Sequence, residues 1–543
     1  MKLKISLIAL ILATLLCHAQ DWKTYPYTPP GSLVIFSADE GRHTGEPVEW
    51  WYTSGHFIGE TSGKEYSYML TYFYYPVSVS IFNFEGFRIL NITDEATGAF
   101  YQETKPILTY STLSTTGLDI VANLFPSGSE YWRNKLDGSS NPLPFNYEIS
   151  ASSSIASINF ELDTTKRPLI LDGDGYFEQG LSNYTYYYSQ TSNTLTGSLT
   201  LNGDTENVTG SAWIDRQYGD FNPFTGEKYE WFSLQLDNGT DLNLWNVFTA
   251  DRMIPNDPKY KILAAYVDES NQYTISDFEI ERLEYFFTPD NLKSYSKKWR
   301  LTSVSKNIDL IITSNHTTSE VDITELSFRF FEGSVNIEGT IDGVNVQGVG
   351  FAELLHAYEH PDLSISSPNG GIYNAAVPIS WNLNNPDDGR PLTYDLEYSI
   401  DNQNSFNVIA QDIAETSFLW SNPSISEGDD VWFKVIGTSI DGTLISEEIS
   451  SASSSVSLSI ADFNPNGVKL YPNPVSNELT LEFNNAIENL KLEIIDVRGR
   501  VLFSDETKQT SLKKINVSAF PQGVYFIRIY SESVEDFLRF VKK

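Results

Sequence analysis

The chain has 543 residues, with 36 Lys and Arg against 71 Asp and Glu, for a formal net charge of −35. A field of that sign and size repels phosphate backbones and argues against a nucleic-acid partner, while the length requires several cores rather than one. Aromatic residues make up 14% of the chain, and with abundant Thr, Ser and Val they point to an all-β protein, because such side chains fit pleated, half-buried surfaces.

Residues 1–20 read as a signal peptide. Lys2 and Lys4 precede an apolar run from Leu7 to Leu16, and Cys17-His18-Ala19 supplies small residues at the cleavage end. Leu16 is bulky where a lipoprotein signal needs a small residue, so the expectation is an exported chain and not a lipoprotein. Cys17 is the single cysteine; once it is cleaved away, disulfides, thiolate catalysis and cysteine-ligated metals are excluded. No other apolar run approaches the roughly 20 residues of a bilayer crossing, so no transmembrane span is expected.

From residue 21 to 361 the pattern is short alternating runs separated by Gly, Asn and Asp turns, as in Leu195–Leu201 followed by Asn202-Gly203-Asp204. Two units of about 170 residues, 21–190 and 191–361, each suit an antiparallel barrel. Within them, Glu49-Trp50-Trp51-Tyr52-Thr53-Ser54-Gly55-His56 concentrates polar chemistry in aromatic surface. Alternation puts Trp50, Tyr52 and His56 on one strand face and Glu49, Trp51 and Thr53 on the other. Comparable strands follow at Ala212–Gly219, carrying Trp213, Asp215, Arg216 and Tyr218, and at Tyr229–Leu236, carrying Tyr229, Glu230 and Trp231. The same aromatic strands also suit plain core packing, and Asp215 with Arg216 also suits a structural ion pair.

Residues 362–460 contain Ile379–Leu383, Leu392–Ser399 and Val431–Val435, strand-like runs whose spacing and Trp381 resemble a fibronectin type III-like sandwich. Residues 461–467 read as a linker. The last unit, 468–543, carries Leu470-Tyr471-Pro472-Asn473-Pro474, then Ile495-Asp496-Val497-Arg498-Gly499-Arg500, then Phe520-Pro521-Gln522-Gly523-Val524-Tyr525 and a terminal Lys542-Lys543. That order of motifs resembles the C-terminal sorting domain of the type IX secretion system of Bacteroidetes, a small β-sandwich. The resemblance implies handling by that secretion machinery and a secreted or cell-surface destination.

Five blocks in order carry a second resemblance: Asp39-x-Gly41-x-His43, Glu49–His56, Ala212–Asp215, Trp231–Leu236 and the closing Gly348–Leu354. Together they resemble the AttH/CrtC family, which includes the carotenoid 1,2-hydratases (hydroxyneurosporene synthases). This resemblance, covering about residues 25–360, implies two lipocalin-like, calycin-type barrels and an apolar, isoprenoid-like ligand. Where the hydratases read Asp-His-Glu-Trp, this chain has Asp215-Arg216-Gln217-Tyr218, and Glu230 occupies the acidic position before the next tryptophan. The substitutions point away from carotenoid hydration itself and toward a divergent ligand.

Hydration or cyclisation of an isoprenoid begins with proton transfer to carbon, which needs a carboxyl kept protonated by an apolar site. Glu230, among Phe232, Leu234 and Leu236, is the first expectation for that acid, and Glu353 has a similar setting. Asp215 and Arg216 would orient it or water, and Trp50, Tyr52, Trp213, Tyr218 and Trp231 would stabilise a cation. Tyr229, His56 and Glu49 complete the expected ligand-binding set. His356-Ala357-Tyr358-Glu359-His360 matches an inverted zinc-peptidase pattern, but it follows a strand and meets Pro361 before a helix has room to form. No metal or other cofactor is expected. The reading is an exported binder of an apolar molecule with acid-initiated hydratase or cyclase chemistry at the barrel interface; its rival is a non-catalytic lipid carrier or surface-binding protein.

Overall fold

A computed structural model describes residues 21–79, 81–181, 183–220, 225–323, 328–374, 376–385, 388–457, 468–531 and 535–543. The expected signal peptide and the 461–467 linker lie outside the described residues. Among the described residues the protein is all-β, with no α-helix and a single 3-10 turn at Ala38–Glu40. It divides into two units: residues 1–360 with 386–391 and 439–444, and residues 361–385, 392–438 and 445–543.

The first unit holds two large antiparallel sheets. In the first, the strand Val48–Gly59 is flanked by Glu65–Val79 and by Asp204–Gly219, and the meander continues through Ala156–Thr164. Ala156–Thr164 then pairs with Asn183–Leu201, Thr164 opposite Asn193, while Asn183–Leu201 also pairs with Asp204–Gly219. Ten strands thereby close into a barrel, and closure removes the open edges on which other chains could add. The interior is filled by the barrel's own side chains, among them Trp51, Tyr68, Leu90, Trp132, Phe160 and Ile214.

This closure corrects the expected divide at 190/191. Residue 190 lies inside Asn183–Leu201, and without that strand and Asp204–Gly219 the ring would stay open between Thr164 and Val48. The chain leaves the first sheet at Gly219 and enters the second at Lys228.

The second sheet curls around its own core. Lys228–Leu236 lies between Asp241–Phe248 and Val344–Leu354, and Phe328–Ile341 follows Val344–Leu354. Phe232, Leu234, Leu244, Trp299, Phe331 and Val335 fill the inside. Alternation turns the intervening residues of the same strands outward.

In the second unit, a three-stranded sheet and a six-stranded sheet share a core built on Trp381, Tyr394, Trp420 and Phe433. A five-stranded sheet from Lys469 to Lys542 has its own core around Leu481, Ile494, Ile527 and Phe540.

Candidate functional site

The outward faces of the two barrels meet each other. Tyr52, Trp213, Trp231, Trp245, Phe330 and Phe351 are all buried in one cluster that belongs to neither barrel interior. Within this seam lies a cavity of about 320 Å³, the size range of small-molecule sites. Trp50, Tyr52, Phe73 and Phe87 wall it from the first barrel, and Tyr229, Trp231, Trp245 and Phe330 from the second. Two acids of the seam, Asp215 and Glu353, face the cavity, while Gln179, Glu227 and Lys228 add further polar groups to its lining.

Asp215 sits on Asp204–Gly219, directly opposite Tyr52. One carboxylate oxygen accepts from Trp213 Nε1 at 2.7 Å and Ser189 Oγ at 2.5 Å, and the other accepts from the Tyr187 hydroxyl. Burial pushes its carboxyl up to about 7, against those three hydrogen bonds, which pull the other way. Arg216 does not pair with it, because neighbours on a strand point to opposite faces. Instead Arg216 turns into the first barrel, forms an ion pair with Glu49, and lies 4.0 Å from the centre of the Trp51 ring. Glu49 also holds Arg42 and His43. Burial would raise the Glu49 carboxyl, but Arg216 and His43 together outweigh it and hold it below the usual range.

Glu353 lies between Trp231 on one neighbouring strand and Glu332 on the other, in direct register with both. It accepts a hydrogen bond from the Tyr229 hydroxyl, and Glu332 accepts one from the Tyr52 hydroxyl at 2.7 Å. The two carboxyls are within hydrogen-bonding reach of each other, and burial raises both, Glu332 the more strongly.

The sequence-derived set is thus divided. Trp50, Tyr52, Asp215, Tyr229, Trp231 and Glu353 come together on the cavity. Trp213 stands just behind it as a donor to Asp215. His56 is on the same outward face but packs its ring 5.2 Å from Phe351, where burial pulls its pKa down. Glu49, Arg216 and Tyr218 belong to the first barrel's inner network, Tyr218 stacking on His43 at 3.6 Å.

Glu230 requires the main correction. It points into the second barrel, not the cavity, paired with Arg282 at 2.6 Å and accepting from the Tyr358 hydroxyl at 2.8 Å. The face shared with Phe232 and Leu234 is the barrel's own core, so the apolar surroundings read from the sequence are there but no ligand space adjoins them. His356 is likewise structural, stacked on Phe248 at 3.7 Å and bonded to Asp388; among the described residues no cluster of metal-ligating side chains occurs. Sequence reasoning missed Glu332, Ser189 and Tyr187. For Glu332 a signal exists: in Phe330-Phe331-Glu332-Gly333-Ser334 it alternates with core residues and shares the outward face of Phe330.

Comparison with known proteins agrees with this architecture. A family model described as AttH-like matches residues 27–358, and one described as a secretion system C-terminal sorting domain matches residues 469–543. No curated protein sequence matches. Among solved structures, a putative AttH from Nitrosomonas europaea is 20% identical, with 61% of this chain and 99% of that one covered and a TM-score of 0.51. Kievitone hydratase from Nectria haematococca is 16% identical, with 61% and 98% covered and a TM-score of 0.48.

Proposed function

Since this chain belongs to the AttH-like family, we propose that it binds an apolar, isoprenoid-like small molecule between its two barrels and transfers a proton to one of that molecule's double bonds. The sorting domain makes it an exported protein, secreted or at the cell surface, handled by the secretion machinery. One observation carries the chemical reading: Asp215, buried, and Glu353, half-buried, both carry carboxyls raised by desolvation and open into a cavity walled by aromatic rings.

In this reading Glu353 is the acid. Its carboxyl hydrogen goes to the alkene carbon, and the positive charge that develops on the neighbouring carbon lies among Trp50, Trp231 and Trp245, whose ring faces attract cations. Asp215, up at about 7, is partly ionised at neutral pH and takes up the second proton. If water adds to the cation, that proton comes from the water and the product is an alcohol. If a second double bond adds instead, it comes from carbon and the product is a ring. Two acids placed in different environments for two roles is a recurrent arrangement in proton-transfer enzymes.

The carrier reading has one observation in its favour: Asp215 already accepts three hydrogen bonds from the protein itself. The test is incubation of the purified protein with lipid extract, followed by mass spectrometry. A recovered compound heavier by one water supports hydration, an isomer with a new ring supports cyclisation, and stoichiometric unmodified ligand supports the carrier.

A further inference from the structure

We propose that Glu332, which does not line the cavity, is a positioning residue that shares one proton with Glu353 and so keeps an un-ionised carboxyl facing the ligand space. The inference deepens the catalytic reading above and rests on it for its functional meaning.

Glu332 and Glu353 are directly opposed on adjacent antiparallel strands, where facing side chains stand only about 4.5–5.5 Å apart at Cβ. Both are on the outward face of the second barrel, enclosed by the first. The titratable groups that act on the pair are Tyr52 from the Val48–Gly59 strand, Tyr229 from Lys228–Leu236, Asp215 from Asp204–Gly219 and Tyr187 from Asn183–Leu201. These four are neutral or acidic; Glu227 and Lys228 also line the cavity that Glu353 faces, but among the described residues no lysine or arginine forms an ion pair with either glutamate. Two adjacent, largely desolvated carboxylates without a paired cation repel each other strongly, and holding one proton between them removes the second charge. Burial and mutual repulsion act in that same direction on Glu332, while Glu353, raised by burial, is eased down by its hydrogen bonds to Tyr229 and Glu332.

The hydrogen bonds fix where the proton can be used. Tyr229 donates to Glu353 and Tyr52 donates to Glu332, so each carboxyl has one oxygen held by a phenol and one left for its twin or the ligand. When Glu353 gives its proton to carbon, the pair passes from one negative charge to two, and a proton returned by solvent or product restores it. Tyr52 belongs to the first barrel and Glu332 to the second, so the same bond also ties the pair across the seam.

The test is an infrared pH titration of the ligand-free full chain, following the carbonyl stretch of un-ionised carboxyl. Asp215, Glu40 and Asp241 lose their protons near 7, 7 and 6, so a component persisting above about pH 8 reports the pair. Glu353→Gln must remove that component or move it to lower pH, which assigns it to the pair. Glu332→Gln, nearly isosteric, should move its loss to lower pH, because a lone Glu353 ionises without a charged twin. Tyr52→Phe should move it to higher pH, because the phenol that favours ionised Glu332 is gone. Opposite shifts cannot come from general loosening of the fold. An unmoved titration in Glu332→Gln, or shifts of the same sign in both variants, overturns the proposal. Because no ligand is present, the result decides proton sharing even if the protein proves to be a carrier.

Discussion

Tyr52 and Asp215 are direct partners across an antiparallel strand pair, yet their polar ends serve different acids of the seam. The Tyr52 hydroxyl crosses to Glu332 of the second barrel, while Asp215 is held by Ser189, Tyr187 and Trp213 of the first. The cavity therefore has an acid on each wall, Asp215 on the first barrel's and, on the second's, Glu353, which stands opposite Glu332 in register.

Asp215→Asn should lower turnover by about 10²–10⁴-fold, the usual contribution of a general acid or base, while ligand affinity changes little because the amide keeps the shape of the cavity wall. Single-turnover kinetics on the compound recovered from lipid extract, together with quenching of tryptophan fluorescence on binding, checks both halves. Undiminished turnover would remove Asp215 from the mechanism.

Glu230→Gln should behave in the opposite way. It strips the carboxylate from buried Arg282, and an uncompensated buried charge costs about 3–5 kcal/mol. Denaturant titration should show a marked loss of stability, whereas the protein that remains folded keeps its affinity. Loss of turnover at full stability would return Glu230 to the catalytic role first read from the sequence.

Ile89 and Leu90 are adjacent and equally buried, but Ile89 lines the cavity and Leu90 fills the first barrel. Ile89→Trp should reduce binding at least about tenfold by occupying ligand space, about 1.4 kcal/mol, with a small effect on stability. Leu90→Ala should cost about 2–5 kcal/mol of stability and leave ligand selectivity unchanged. Melting curves and equilibrium binding on the two variants decide the matter.

The pH dependence has a defined sign. Asp215 ionises near 7 in the folded protein and near about 3.9 unfolded, so between those values the unfolded chain has released a proton that the folded one retains. Stability is highest below the lower value and falls as pH rises toward 7, by a limit on the order of 4 kcal/mol for this group. Glu40, also raised to about 7 by burial, acts in the same sense. Asp215→Asn should make the decline of unfolding free energy between about pH 4 and 7 shallower by its share. Unchanged slopes in denaturant titrations across that range would contradict the burial described here.

The all-β character and the two faces of the Trp50 strand were legible because alternation needs only the sequence. Trp50 and Tyr52 do share one face, with Trp51 turned to the other. What alternation cannot say is which face meets a barrel interior and which meets another barrel. Glu230 was placed among apolar neighbours correctly, but those neighbours line the closed core. Glu332 escaped for the complementary reason: its importance comes from register with Glu353, a pairing between strands that no local pattern encodes. The 190/191 divide failed because ring closure depends on Asn183–Leu201 reaching back to Ala156–Thr164, a contact set by the whole sheet.

Because the cavity lies between two self-filled barrels, every wall strand carries two separate selective pressures in alternate positions. Inward residues answer to folding and tolerate little, whereas outward ones can drift without unsettling either core. A lineage could therefore trade one ligand for another by changing every second residue of a few strands, leaving the scaffold as it was.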